Sequence, residues 1–250
     1  MNALSWWHFQ RKDFIYIDGF AAKGHRGLMQ FMLVRQNGPE KFREWEKDFR
    51  DVYEYISSIE APKYPYEVNQ GLLEKGRVAF NRVCSDCHGT YGDDSKFPNK
   101  TITLDEVKTD PVRYQSLTPA HRASYGNTWF TDYGKLGNID DPKGYVAPPL
   151  NGVWASAPYF HNGSVPTLWH VLHPDARPVV WKRTEDGYDT KQVGLEVTTF
   201  ENMPSEAESA AQKREYFNTK LFGKSAAGHD FPDVLTEDEK AAVLEYLKTL

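Results

Sequence analysis

Cysteine is nearly absent from the chain, and the two that occur, Cys84 and Cys87, sit three positions apart. A disulfide framework is therefore excluded, and whatever these thiols do, they do together. No stretch approaches the roughly 20 consecutive apolar residues that span a bilayer. The start, Met1 to Gln10, lacks the basic then apolar pattern of a secretory signal. There is no internal repeat and no low-complexity tract. Charge of one sign is not in excess: with 26% charged residues and a net charge of -5, the chain has an ordinary soluble surface and no basic character suited to nucleic acid. Against these absences, 40% hydrophobic and 14% aromatic residues are ample for a buried core. The 250 residues fit a compact domain with an appendage better than two full domains.

Residues 1–36 combine aromatics (Trp6, Trp7, Phe9, Phe14, Tyr16, Phe20) with basic residues ahead of the apolar run Leu28 to Val34, and read as an irregular, wrapped segment. From about Pro39, the series Phe42, Trp45, Phe49, Val52, Tyr53, Ile56 recurs at three- and four-residue steps, which predicts an amphipathic helix. Pro62 and Pro65 end it. A second helix is expected from about Glu67 to Val83, carrying Leu72, Leu73, Val78 and Phe80. The stretch from about 90 to 160 reads as loops with short helices. At the end, Thr236-Glu237-Asp238-Glu239 is a capping box, and Val243, Leu244, Tyr246, Leu247 and Leu250 form one apolar stripe.

The second helix runs straight into Cys84-Ser85-Asp86-Cys87-His88. The pattern C-x-x-C-H puts two thiols within reach of the two vinyl groups of one haem, with the adjacent imidazole aimed at the iron. A zinc site would need two further ligands; His170 and His173 are available, but their spacing is short for a finger and His88 would be left without a role. A thioredoxin-like dithiol follows a strand, whereas this motif ends a helix. The expectation is one covalent haem c, bound through Cys84, Cys87 and His88. Gly76 and Phe80 on the leading helix, with Val243, Tyr246 and Leu247 on the last, suit a close helix crossing. The fold expected is mainly α, class I-like cytochrome helices around one haem with long loops. Residues 63–250 would form that domain, and residues 1–62 an N-terminal extension, the remnant of an inter-haem region.

A six-coordinate iron needs a second ligand, and in such folds it lies in a loop shortly before the C-terminal helix. His229 lies there, in the small-residue segment Gly223 to Asp230. His161 and Met203 are the alternatives, as is an open iron. His8, His25, His121, His170 and His173 read as surface or structural groups, with His25, in Lys23-Gly24-His25-Arg26-Gly27, able to face a propionate or a neighbouring domain.

The run from Tyr145 to Leu168, with Ala147-Pro148-Pro149-Leu150 and Ala157-Pro158-Tyr159-Phe160-His161-Asn162-Gly163-Ser164, resembles the signature that follows the second haem of bacterial dihaem cytochrome c peroxidases. Gly24-His25-Arg26, Leu28-Met29-Gln30-Phe31 and Gly228-His229 are similar to the rubber oxygenase branch of that superfamily. The resemblance covers nearly the whole chain, but only the second-haem half of those enzymes. It implies a bis-histidine electron-transfer haem with His88 and His229 as axial ligands. Where the peroxidases carry a ligating methionine, this chain has Asp175, and it has no second C-x-x-C-H, so the substrate-converting haem domain has no counterpart.

The function expected is single-electron transfer between a redox partner protein and a second haem domain or second protein. The alternative is a peroxidase or dioxygenase with an open distal site and His161 as its base. Because haem c is attached to thiols after export, the expected location is periplasmic or extracellular, and the chain reads as the C-terminal part of a larger protein.

Overall fold

A computed structural model describes residues 5–32, 34, 36–121 and 142–250. The loop-and-short-helix reading of the middle segment therefore falls partly, over 122–141, outside the described residues, as does Leu33 of the apolar run. The helices, in chain order, are α1 His25–Met29, α2 Pro39–Ser57, α3 Gln70–Val83, α4 Ser85–His88, α5 Leu104–Val107, α6 Val112–Gln115, α7 Leu168–Leu172, α8 Ala210–Arg214 and α9 Glu237–Leu247. The strands are β1 Thr101–Ile102, β2 Tyr145–Val146, β3 Val180–Asp189, β4 Gly194–Phe200 and β5 Tyr216–Asn218.

The mainly α expectation is overturned. Helix accounts for 41% of the described residues and strand for 13%, with two antiparallel sheets. One pairs β1 with β2; the other has the order β4-β3-β5, with a bulge in β3 between Arg183 and Tyr188. The larger sheet is built locally. Asp189 Oδ1 accepts from the backbone N–H groups of Lys191 and Gln192, both at 2.8 Å, folding the β3–β4 turn. Val193, at φ 58°, and Gly194, at φ 158°, complete the reversal. The stack of Trp181 on Phe217, ring centres 5.1 Å apart, joins β3 to β5.

The expected helix crossing is present. Asn69 caps α3, its side chain accepting from Gly71 N–H. Thr236 and Glu239 form the reciprocal capping box of α9. The two helices meet at Gly76, where an added Cβ would lie 2.1 Å from the Ala242 carbonyl oxygen, so only glycine permits this approach. Phe80, 1% exposed, packs its ring 5.4 Å from that of Tyr246. These side chains belong to a core shared with Val153, Tyr159, Val165, Leu168 and Val243. Val78, expected on the apolar face, is instead 55% exposed. In α2 Phe42 is fully buried, whereas Val52 faces solvent. No helix among the described residues is long and apolar enough to cross a membrane.

Candidate haem-binding site

The haem motif is presented by the end of one helix and the start of another. Cys84 closes α3, its N–H bonded to the Phe80 carbonyl at 2.7 Å, and also begins α4. His88 ends that turn, its N–H bonded to the Cys84 carbonyl at 2.9 Å. Gly89, at φ 80°, then turns the chain away. The wall opposite is the proline-rich loop. Tyr91 Oη donates to the His88 carbonyl at 3.0 Å and accepts from Leu150 N–H at 2.6 Å, tying the motif to that loop.

His88 Nδ1 lies 2.8 Å from the Pro148 carbonyl oxygen. A carbonyl only accepts, so Nδ1 carries the hydrogen and the Nε2 lone pair is left for a metal. Burial pushes the His88 pKa down, in the direction of the neutral ring that a ligand must be, and the bond to Pro148 opposes it.

His229 reaches the same space from the opposite side. Its backbone is left-handed, at φ 55°, following Gly228 at φ 79°. A Cβ on Gly228 would lie 2.2 Å from the Lys108 carbonyl carbon. His229 N–H donates to the Val107 carbonyl at 2.7 Å, anchoring the loop on the end of α5. Its ring is flanked by Phe160 and Phe231, at 5.8 and 5.4 Å. Burial, with the neighbouring His88 and Arg177 adding, holds its pKa down to about 3. The loop is also held by Arg177, which sequence reasoning did not single out. Its guanidinium donates to the carbonyls of His170 (3.0 Å), Ala226 (2.8 Å) and Gly228 (2.6 Å), and more loosely to Val171 and His229. It lies over the Phe160 ring at 4.9 Å.

Between these walls lies a cavity of about 240 Å³, mostly apolar, that includes Cys84, Cys87, His88 and His229 in its lining. A single water needs about 10–15 Å³ by the same measure, so the space suits an extended apolar group. The His88 and His229 ring centres are 6.1 Å apart. Two imidazoles bonded to one metal at about 2 Å each, with about 1.1 Å from nitrogen to ring centre, would stand about 6 Å apart. The donor set, its spacing and the cavity therefore fit a haem. Burial raises the Cys84 thiol to about 12 and also raises Cys87, with Lys100 opposing in the second case. Neither is a low-pKa thiolate of the kind that redox exchange uses.

His161 also lines this cavity, its Nε2 buried without a partner and its ring 4.5 Å from that of Tyr145. Met203 does not line it. His170 and His173 are held elsewhere: His170 bonds Thr167 Oγ1 at 2.6 Å, and His173 stacks on Trp169 and meets Glu237 at 3.0 Å. His25 pairs with Glu46 at 2.7 Å, rather than with anything in the cavity. His8, read from sequence as a surface or structural group, is buried and lines the cavity. No sequence signal marks Arg177 or His8, since each acts through groups distant in the chain.

Residues 144–182 match the family described as RoxA-like, cytochrome c-like. This stretch contains Pro148, His161 and Arg177, and the match makes the region cytochrome c-like and implies haem c binding. The chain is also similar to two proteins of Sinorhizobium fredii. It is 29% identical over 163 residues to uncharacterized protein y4iM, covering 57% of this chain and 38% of that protein. It is 37% identical over 154 residues to uncharacterized protein y4iJ, covering 58% and 24%. The chain thus spans well under half the length of either relative.

Proposed function

We propose that the chain is a single-electron carrier with one haem c, joined covalently through Cys84 and Cys87 and ligated by His88 and His229. The observation that carries this reading is the pair of imidazoles that line one apolar cavity together with the two cysteines, 6.1 Å between ring centres. The haem would supply a reversible one-electron iron couple. The chain's own residues hold and insulate it. Pro148 fixes the tautomer of His88, Arg177 and Gly228 hold His229, and Phe160 and Phe231 keep water from the latter's ring. Two histidine ligands favour the ferric state and a lower potential than a histidine and methionine pair. We place the chain as a second-haem-like unit of the dihaem peroxidase superfamily, passing electrons between a redox partner protein and another haem domain. Attachment of haem to reduced thiols after export supports a periplasmic or extracellular site of action.

A second reading, an open distal site acting on peroxide or dioxygen, draws on the unpartnered Nε2 of His161 in the same cavity. It requires that His229 leave the iron.

The test of attachment is to make the chain with a haem c maturation system, denature it and extract with acidified acetone. The proposal expects haem to stay with the polypeptide, and to be lost from the Cys84→Ala, Cys87→Ala double variant. Haem extracted freely from the wild type would defeat it.

A further inference from the structure

Among the described residues, Phe222 is the most exposed large hydrophobic side chain, at 89%, and its neighbour Leu221 is 51% exposed. They stand at the tip of the turn that leads from β5 into the His229 loop. The turn is held by its own hydrogen bonds. Asn218 Oδ1 accepts from Lys220 N–H at 3.0 Å and the Asn218 carbonyl from Leu221 N–H at 3.2 Å. Gly223, at φ 76°, then lets Lys224 N–H reach back to the Leu221 carbonyl at 3.1 Å. The root is clamped as well: Thr219 donates twice to the Val179 carbonyl, and Asn162 Nδ2 donates to the Ser225 carbonyl at 2.8 Å and more loosely to that of Gly223. The backbone is thus fixed while two adjacent apolar side chains face water. Lysines flank them. Among the described residues neither meets a carboxylate: Lys220 Nζ lies 3.2 Å from Asn202 Oδ1, and Lys224 Nζ lies 4.9 Å from the centre of the Phe217 ring.

We propose that this tip docks a small acidic one-electron carrier protein, with Phe222 and Leu221 entering an apolar recess and Lys220 and Lys224 meeting carboxylates at its rim. The inference rests on the electron-carrier reading above and names the class of partner for that centre. An apolar anchor inside a charged rim is the layout of a protein interface, and an anchor already fixed in its turn loses little freedom on binding. Because the whole chain carries a net charge of -5, two unpaired cations beside the anchor mark a patch to which an acidic partner is drawn, and they steer its approach. The location suits electron exchange. Past the tip the same loop continues through Gly228 to His229, and Asn162, which holds its root, directly follows the cavity residue His161. A lipid surface fits less well. A whole myristoyl chain gives only marginal membrane binding, and one Phe–Leu pair offers less apolar area, whereas a redox encounter needs only a small, transient interface.

The test is stopped-flow reduction of the haem-loaded protein by two donors, flavodoxin hydroquinone, which is an acidic protein, and reduced lumiflavin, which is a small molecule. Flavodoxin hydroquinone gives up one electron and becomes the semiquinone as ferric iron becomes ferrous. Wild type is compared with Phe222→Ser and with the double variant Lys220→Glu, Lys224→Glu, whose optical spectra should match that of the wild type. With flavodoxin, the wild-type rate should fall as salt is added, and each variant should react roughly tenfold more slowly. With lumiflavin, all three should react alike. Equal flavodoxin rates in the three proteins would overturn the proposal, as would a wild type that lumiflavin reduces and flavodoxin does not. Unchanged flavodoxin rates together with Phe222-dependent sedimentation on phosphatidylglycerol vesicles, or with Phe222-dependent self-association in the ultracentrifuge, would overturn it in favour of a lipid surface or a second copy of the chain. A wild type that holds no haem, or whose haem neither donor reduces, would instead overturn the electron-carrier reading beneath it.

Discussion

Replacing Arg177 with alanine removes a side chain that links the His229 loop to the end of α7. Its three shorter bonds, at 2.6, 2.8 and 3.0 Å, go to the Gly228, Ala226 and His170 carbonyls. At about 1.5–3 kcal/mol for each hydrogen bond to a charged group, the gross contribution is roughly 5–9 kcal/mol. Much of this is offset. Burial lowers the guanidinium pKa to about 10, showing that the charge is held out of water at a cost, and water would partly refill the site in the variant. A net loss of about 3 kcal/mol follows, at the lower end for breaking a buried charged network. The loss should be concentrated where His229 is held. In urea denaturation, Arg177→Ala should unfold at a lower midpoint with an unchanged slope, and its haem should gain a high-spin, carbon monoxide-binding fraction. Arg177→Lys, with one donor group in place of a planar fork, should fall between. A loss below about 0.5 kcal/mol together with an unchanged spectrum would refute the reasoning, since that is the scale of an ordinary surface substitution.

Gly76→Ala places a methyl 2.1 Å from the Ala242 carbonyl oxygen and 2.9 Å from Tyr246 Cβ, so α3 and α9 must separate. A loss of about 1–3 kcal/mol or more is expected in thermal or urea unfolding, and an unaffected variant would contradict the close crossing. Gly228→Ala meets both a left-handed backbone at φ 79° and the Lys108 carbonyl, and should weaken His229 ligation, seen as faster carbon monoxide binding. For acid stability, the His170 pKa is held down to about 4, chiefly by burial, with His173 and Arg177 adding. The unfolded chain protonates this group near pH 6.5 and the folded chain does not, so its contribution is complete above that pH and is lost as pH falls towards about 4. The slope is about 1.4 kcal/mol per pH unit, so from pH 6.5 to about pH 5 the wild type should lose roughly 2 kcal/mol more than His170→Asn. Equal losses in the two proteins would contradict it.

What could be read in the sequence was what is local. The haem motif, the α9 capping box and the Gly76–Phe80 face are set by residues a few positions apart, and each is found where the spacing puts it. His229 stood out because its loop precedes a well-marked helix, and the structure puts its ring centre 6.1 Å from that of His88. The larger sheet was missed although β4 carries the β-branched residues Val197, Thr198 and Thr199, and Asp189 folds the turn. The bulge between Arg183 and Tyr188 breaks the two-residue alternation by which a strand is recognised. That sheet is what turns a mainly helical expectation into a mixed fold. Arg177 and His8 were beyond sequence reading for another reason. Their roles depend on carbonyls distant in the chain, Gly228 for one and Asn151 for the other, and a backbone carbonyl carries no signature of its residue type.

The most direct test of the account is the optical spectrum of the haem-loaded protein, oxidised and reduced, beside that of His229→Ala. The account predicts a low-spin wild type in both states that resists carbon monoxide, and a high-spin variant that binds it. A wild type already high-spin, and unchanged by the substitution, would contradict it and would make the open site beside His161 the better description.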